Sequence, residues 1–381
     1  MKQARQSAAS DAATDRFDAE LADLRERIDA IDRELLAALN ARASLVQQVG
    51  ELKRRSRAAI YSAGRERDLV ARLVAENPGP FPSGALPAVY REILSALRAL
   101  EGPVRVAFLG PDGTYSHLAA RQQFGAQAEL LPSTSISEVF AAVERGRAEL
   151  GVVPIENTTE GVVTPTLDVL VESDVPICGE VVLPISHSLL SRSGRLADVK
   201  RVASMPQALS QCRRWLDLHL PAAARIETTS TAAAAKLASE DGSVGAIGSA
   251  IAAEVYGLET VEAAIEDRRD NTTRFLLIGG DCAAPSGNDL TTAAFTVRKD
   301  ESGALHRLLA PFARHGVNLA SIQSRPLPGK PWEYVFFVDV EGHRDEPRVA
   351  QCLAEAASCA HSHRILGSFP RAASLAPGGR G

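Results

Sequence analysis

Between residues 21 and 53 the chain has no Pro and no Gly until Gly50, and apolar residues recur at Leu21, Leu24, Ile28, Ile31, Leu35, Leu39, Leu45, Val49 and Leu52. This spacing specifies one long amphipathic helix. At 1.5 Å per residue it runs to roughly 50 Å, well beyond an average globular helix, so its stripe needs a long apolar partner. Two shorter helices follow, at residues 65–76 and 86–100, separated by the breaker segment Asn77-Pro78-Gly79-Pro80-Phe81-Pro82. Three helices of unequal length cover such a stripe poorly, which argues for a homodimer.

Gly102-Pro103 ends this helical segment, and the pattern changes. Strands at residues 104–110 and 150–155 alternate with helices at 116–124 and 137–145, and the alternation continues to about residue 280. Such alternation implies an α/β domain with largely parallel sheets. The stretch from 181 to about 261 has strand–helix units of its own, which suggests two lobes with a cleft. After a small-residue linker at 283–288 comes a β-α-β-β-α order with room for one short final strand, the pattern of an α+β ferredoxin-like module. The expected organisation is multidomain, as a length of 381 residues requires. Its parts are a disordered extension (1–16), an all-α three-helix domain (17–102), a two-lobed α/β domain (103–281), an α+β module (290–370) and a disordered tail (371–381).

The formal net charge of −5 gives no general attraction to nucleic acid or anionic lipid, so any anion binding must be local. The Cys residues at 178, 212, 282, 352 and 359 are scattered, with no CxxC pair and no His at ligand spacing. That disfavours a disulfide framework or a zinc site and fits a reducing cytoplasm. No run approaches the roughly 20 apolar residues of a membrane span, and residues 1–16 lack a signal-peptide core.

Two polar segments sit at the ends of apolar runs. Pro154-Ile155-Glu156-Asn157-Thr158-Thr159-Glu160-Gly161 follows Leu150-Gly151-Val152-Val153, and Asn271-Thr272-Thr273-Arg274 precedes Phe275-Leu276-Leu277-Ile278. Uncharged donors at strand ends suit a cleft that holds an anion. Glu156-Asn157-Thr158-Thr159 also reads as a plain strand-to-helix turn. Gly110-Pro111-Asp112-Gly113-Thr114-Tyr115-Ser116 is open to two readings, an anion-binding helix start or a tight turn with Thr114 as helix cap. Thr228-Thr229-Ser230-Thr231 reads mostly as capping. In the long helix, Arg42 falls where the apolar seam requires an apolar residue, and a desolvated guanidinium needs an anion. Lys53, eleven residues on, lies about 20° round the helix and roughly 16 Å along it, so both side chains can converge on one small dianion. Pairing of Arg42 with an internal Glu is the alternative. Arg25, about 100° away, faces a different neighbour.

Residues 24–29, Arg42, Lys53 and Arg65-Glu66-Arg67 resemble the all-helical chorismate mutase family over about 80 residues. The resemblance implies that Arg25 acts from a partner protomer, and that Arg42, Lys53 and Arg65 bind the carboxylates and ether oxygen of chorismate. Glu66 would hold a hydroxyl. Ser62 stands where that family often has Asp, Leu97 where Ser is usual, and Glu101 where many members have Gln. The Thr-Arg-Phe triplet at 273–275, with the segments above, resembles prephenate dehydratase over essentially all of residues 104–280. It implies Thr273 as the catalytic hydroxyl, with Glu156, Asn157, Thr158, Ser204, Gln211 and Arg274 supporting prephenate binding. Ser204-Met205-Pro206-Gln207 departs from the commoner Ser-His-Pro-Gln, and Thr229 stands where some members carry Glu. Gly303-Ala304-Leu305-His306 and Asn318 to Pro326 resemble the family's ACT domain, which binds phenylalanine between paired domains. Gly303, Ala304, Leu305, Asn318, Gln323, Ser324, Arg325 and Pro326 carry that likeness, with Gln323 replacing a usual Glu.

The implied chemistry is a Claisen rearrangement of chorismate to prephenate, then decarboxylation and dehydration to phenylpyruvate under feedback by phenylalanine. It requires no metal or other cofactor. Two other readings stand beside it, a dehydratase whose helical segment only dimerises and a noncatalytic sensor of aromatic acids. Glu101 could donate to the ether oxygen only when protonated, whereas Gln donates at any pH. Mutase kcat/KM is therefore expected to rise as pH falls from about 8 to about 5, and a flat profile removes Glu101 from this role.

Overall fold

The structure, a computed structural model, describes residues 2–56, 63–281, 283–297, 301–327 and 333–372, without the side chains of residues 2–16, 54, 56 and 63. The first element, α1 (Lys2–Ser56), is one continuous helix. It starts well before the expected residue 21, so residues 2–16 are helical backbone and not a disordered extension. Their Ala-rich composition, free of Gly and Pro, has the propensity for it. Of the tail, Arg371 and Ala372 are ordered by backbone hydrogen bonds, and the rest lies outside the described residues.

Packing divides the chain into two units. One is α1 with residues 100–102. Its apolar stripe is exposed in the single chain, with Leu24, Ile28, Ile31, Leu35, Leu45 and Leu52 each more than half exposed. The second unit holds α2 (Ala63–Glu76), most of α3 (Leu86–Glu101) and everything after residue 103. The units part at residues 102/103, but the second also takes in residues 61–99 of the helical segment. Arg98 on α3 donates to Glu66 at 2.5 Å and to the Phe124 carbonyl oxygen at 2.5 Å, and Ser95 accepts from the Gln127 amide.

Within the second unit the chain forms β1 (Arg105–Leu109), α4 (Tyr115–Phe124), β2 (Glu129–Ser133), α5 (Ile136–Glu144), β3 (Leu150–Asn157), β4 (Gly161–Val162), α6 (Thr164–Glu172) and β5 (Ile177–Pro184). It then crosses to a second lobe of β6 (Ser188–Ser191), β7 (Arg201–Ser204), α7 (Pro206–Gln211), α8 (Arg213–His219), β8 (Ala224–Glu227), α9 (Thr231–Glu240), β9 (Val244–Gly248), α10 (Ala250–Tyr256) and β10 (Glu259–Glu262). It returns as β11 (Thr272–Gly279). The first sheet runs β2-β1-β3-β11-β5, with β4 beside β3, and the second runs β10-β6-β9-β7-β8.

Both sheets are mixed, not largely parallel as the alternation suggested. β11 pairs antiparallel with both β3 and β5, because it carries the chain back from the second lobe. Helix-mediated crossovers supply only the parallel pairs β1/β2, β1/β3, β7/β8 and β7/β9. Phe140, Val153, Leu167, Leu276 and Ile278 are among the buried residues under the first sheet.

The last module is β12 (Asp289–Thr296), α11 (Ala304–Arg314), β13 (Leu319–Pro326), β14 (Tyr334–Glu341), α12 (Pro347–Cys359) and β15 (Ser362–Pro370). All its strand pairs are antiparallel, in the order β13-β14-β12-β15. This is the ferredoxin-like arrangement, with a final strand longer than expected.

Candidate active site

The two polar segments meet where the chain re-enters the first lobe. Register places Thr273 opposite Asn157 and Arg274 opposite Glu156. The Thr158 amide donates to the Thr272 carbonyl oxygen at 2.9 Å, and Thr158 Oγ1 accepts from the Thr272 amide at 2.9 Å. Thr158 also donates to the Asp270 carbonyl oxygen, so it ties the strand ends together.

Asn157 has a fixed orientation. Its Oδ1 accepts from the backbone amides of Thr159 and Glu160 at 2.9 and 3.0 Å, groups that can only donate. Nδ2 therefore faces the other way, donating to Thr273 Oγ1 and to Asn271 Oδ1, both at 2.8 Å. Asn271 Nδ2 in turn donates to Gln211 Oε1 at 3.2 Å, while Gln211 Nε2 donates to the Glu160 carboxylate at 3.3 Å. A carboxylate can only accept, so Gln211 Oε1 must also be the acceptor for His187 Nε2 at 2.8 Å. His187 Nδ1 lies 2.8 Å from the Tyr115 hydroxyl, whose own proton goes to the Ser186 carbonyl oxygen at 2.8 Å. Burial, which outweighs Gln211 and Glu266, holds the His187 pKa below its ordinary value, consistent with a neutral ring. Burial likewise pushes the Tyr115 phenol well up.

The chain of donors ends at Thr273, which is buried. Its oxygen accepts from Asn157, so its own proton remains available to donate to an oxygen bound in the cleft. The structure brings Gln211, Asn157 and Thr273 into one network. Asn271, His187 and Tyr115 were missed. Asn271 lies two residues from Thr273 on one strand face, a signal that alternation alone carries. His187 is a polar break between the apolar runs at 181–183 and 189–190.

Other expected residues are placed elsewhere. Glu156 and Arg274 project from the opposite face of the sheet to Thr273 and Asn157. There they line a small cavity of about 30 Å³ with Leu167, Leu276, Gln323 and Asp339. Arg274 donates from Nε to Glu180 and from Nη1 to Asp339, both at 2.6 Å, and its Nη2 is buried without a hydrogen-bond partner. Burial would lower its pKa, but the two carboxylates more than offset that and raise it. Ser204 is fully buried and donates to the Ile247 carbonyl oxygen, a tie within the second lobe. Thr114 caps α4 through the His117 amide, and Ser230 caps α9.

In the C-terminal module, Gly303 adopts φ 74° at the start of α11, Ala304 is buried, and Leu305 is exposed. Asn318 accepts from the Glu341 amide through its carbonyl oxygen. Ser324 and Pro326 face solvent, while Arg325 pairs with Asp168 at 2.6 Å. Of the helical candidates, Arg25 and Arg65 are exposed, Glu66 is held by Arg98, and Ser62 lies outside the described residues. Lys53 Nζ contacts Glu101 Oε2 at 3.4 Å, and Arg42 Nη1 is buried with no hydrogen-bond partner among the described residues. Leu97, where Ser was the family's usual residue, is buried.

The two-lobed fold and its Thr273 network fall in residues 106–283, which match the family model described as prephenate dehydratase. Residues 24–102 match chorismate mutase type II, and residues 292–358 match the ACT domain. The bifunctional chorismate mutase/prephenate dehydratase of Aquifex aeolicus (strain VF5) is 46% identical over 357 residues, covering 93% of this chain and 98% of its own length. Among solved structures, the prephenate dehydratase of Arthrobacter aurescens in complex with L-Phe is 38% identical, with a TM-score of 0.66, over 72% of this chain and 94% of that one. A chain described as GqqA, a novel type of quorum quenching acylase, is 34% identical with a TM-score of 0.65, over 70% of this chain and 98% of that one. The chain belongs to the bifunctional chorismate mutase/prephenate dehydratase family.

Asn157→Asp preserves the acceptor for Thr159 and Glu160 but replaces the donor to Thr273 with an oxygen. The Thr273 proton is then drawn into the new carboxylate. Turnover at this site is expected to fall by roughly 10²-fold or more with little change in melting temperature. Wild-type kcat in steady-state assays counts against the donor order.

Proposed function

We propose that the chain converts chorismate to prephenate in its helical segment and prephenate to phenylpyruvate at Thr273, under inhibition by phenylalanine. The observation that carries the second step is the hydrogen bond from Asn157 to Thr273 Oγ1, which leaves the hydroxyl proton free to donate. In that step the bond from the ring to its carboxylate breaks and releases CO2. Its electron pair enters the ring, which becomes aromatic as the C4–oxygen bond breaks. The departing oxygen leaves as water by taking a proton from solvent. Thr is too weak an acid to transfer its proton fully, so Thr273 acts as a hydrogen-bond donor to the departing oxygen. Asn157, Asn271 and Gln211 hold that donor in line, and Glu156 and Arg274 act from behind the sheet.

For the first step, Arg42 and Lys53 supply the cations for a compact conformer of chorismate, with Arg65, Glu66, Ser62 and Glu101 as further contacts. The unpartnered Arg42 Nη1 supports a role in anion binding. The exposed α1 stripe supports a homodimer in which Arg25 reaches the partner's site. Phenylalanine binding is assigned to the C-terminal module, around Gly303, Ala304, Leu305, Asn318 and Gln323 to Pro326. The Arthrobacter aurescens relative, described in complex with L-Phe, supports it. A cytoplasmic location fits the scattered thiols.

Acyl transfer, the activity named for GqqA, suits the site less well. A nucleophilic Thr needs a base, and no imidazole or carboxylate is recorded as hydrogen-bonded to Thr273 among the described residues.

One coupled assay tests the proposal. Supplied with chorismate, the wild type should form prephenate and then phenylpyruvate. Thr273→Ala should accumulate prephenate, with dehydratase kcat lowered about 10²- to 10⁴-fold and mutase turnover unchanged. Undiminished phenylpyruvate formation would remove Thr273 from its role, and no prephenate from the wild type would leave the helices as a dimerising segment only.

A further inference from the structure

Thr273 and Arg274 are consecutive on β11 and point to opposite faces of the first sheet. Thr273 meets the cleft, and Arg274 meets the C-terminal module. Arg274 Nη1 donates to Asp339 Oδ2 on β14, and the other Asp339 oxygen accepts from Thr292 Oγ1 on β12 at 2.6 Å. Asp339 is therefore fixed to two strands of the C-terminal sheet and reports that sheet's position. The second partner of Arg274, Glu180 on β5, is tied to the same module, since its Oε1 accepts from the Ala372 amide at 2.7 Å. Both carboxylates that hold Arg274 are thus anchored by the C-terminal module.

Apolar side chains of the module share a core with Leu276 and Ile278 of β11, but the other ion pairs end elsewhere. Arg325 reaches Asp168 on α6, and Arg364 reaches Asp174 and the carbonyl oxygens of Leu170 and Val171. The Asp339–Arg274 tie ends on the residue next to Thr273. Arg274 also lines the small cavity, and its Nη2 has no hydrogen-bond partner among the described residues, so the two carboxylates are what hold the guanidinium.

We propose that Asp339 is a positioning residue for the dehydratase reaction: by gripping Arg274 it sets the place of β11, and so of the Thr273 hydroxyl, and passes movements of the C-terminal sheet to it. A ligand that shifts that sheet changes turnover through this grip, with no contact to the dehydratase substrate. The inference rests on the dehydratase and phenylalanine readings above.

The test uses the full-length protein with prephenate, with and without phenylalanine, and calorimetry for phenylalanine binding. Asp339→Asn removes the charge at nearly constant volume. It should lower dehydratase kcat about tenfold with KM within about twofold, because the lost element is alignment and not substrate contact. It should also shrink the ratio of rates without and with phenylalanine at least about fivefold, while phenylalanine still binds. Thr292→Val, which frees Asp339 without removing its charge, should move both readouts in the same direction by a smaller factor and decides the matter if Asp339→Asn does not fold. Arg364→Gln, which cuts a tie to the α6 region, should leave the basal rate unchanged.

Wild-type kcat and a wild-type phenylalanine effect in folded Asp339→Asn, or in Thr292→Val if the former does not fold, overturn the inference. So does an equal loss of kcat in Arg364→Gln, because the effect would then be general loosening. A wild type inactive on prephenate overturns the functional proposal itself, and a wild type that binds no phenylalanine overturns the regulatory reading, leaving kcat to decide the positioning role.

Discussion

The insertion of β11 between β3 and β5 is the constraint on which the rest of this structure depends. The last strand of the two-lobed part occupies a central position, antiparallel to both neighbours. Its hydrogen bonds join β5 to the rest of the first sheet. Its first residues lie where the chain passes back from the second lobe, so Asn271 and Thr273 sit between lobes by topology alone. A central strand also has two faces in use, and here one serves the cleft and the other the C-terminal module.

Around Thr273 the side chains form a polar network whose direction is set at both ends by groups with no choice. The backbone amides of Thr159 and Glu160 can only donate, and the Glu160 carboxylate can only accept. Amides between such ends cannot flip without losing bonds, so the donor facing Thr273 Oγ1 is fixed in place. Under the proposed function, a hydroxyl proton aimed before substrate arrives needs no reorganisation in the chemical step.

Much of this was legible in the sequence where the signal is local. The helix–breaker–helix order before residue 102, the β-α-β-β-α order after 288, and the polar ends of two apolar strands all follow from period and turn residues. That these polar ends belong to one cleft was suggested by their places beside apolar runs, while the pairing of Asn157 with Thr273 came only with the register of β3 and β11. What was not legible depends on partners far along the chain. Arg274 finds Glu180 and Asp339, 94 and 65 residues away, and no spacing rule connects them. Ser204 has the chemistry of a ligand-binding residue but is spent on the Ile247 carbonyl oxygen, a contact set by the order of the second sheet. The antiparallel course of β11 was hidden because an apolar strand reads the same in either direction. The packing of α2 and α3 against residues near 124–127 was hidden because the helical pattern ends so cleanly at Gly102-Pro103.

One small irregularity carries a further consequence. Between the pairs Arg274–Glu156 and Phe275–Pro154, the residue Ile155 has no opposite number on β11. This bulge puts the core side chains of β3 and its polar tip out of phase by one residue. Ile155 is thus the residue the ladder could lose: without it, Glu156 and Asn157 would keep the same partners and the same faces opposite β11. The cost would fall on the core instead, because Ile155 is one of the buried apolar side chains packed under the first sheet and its loss would leave that volume unfilled.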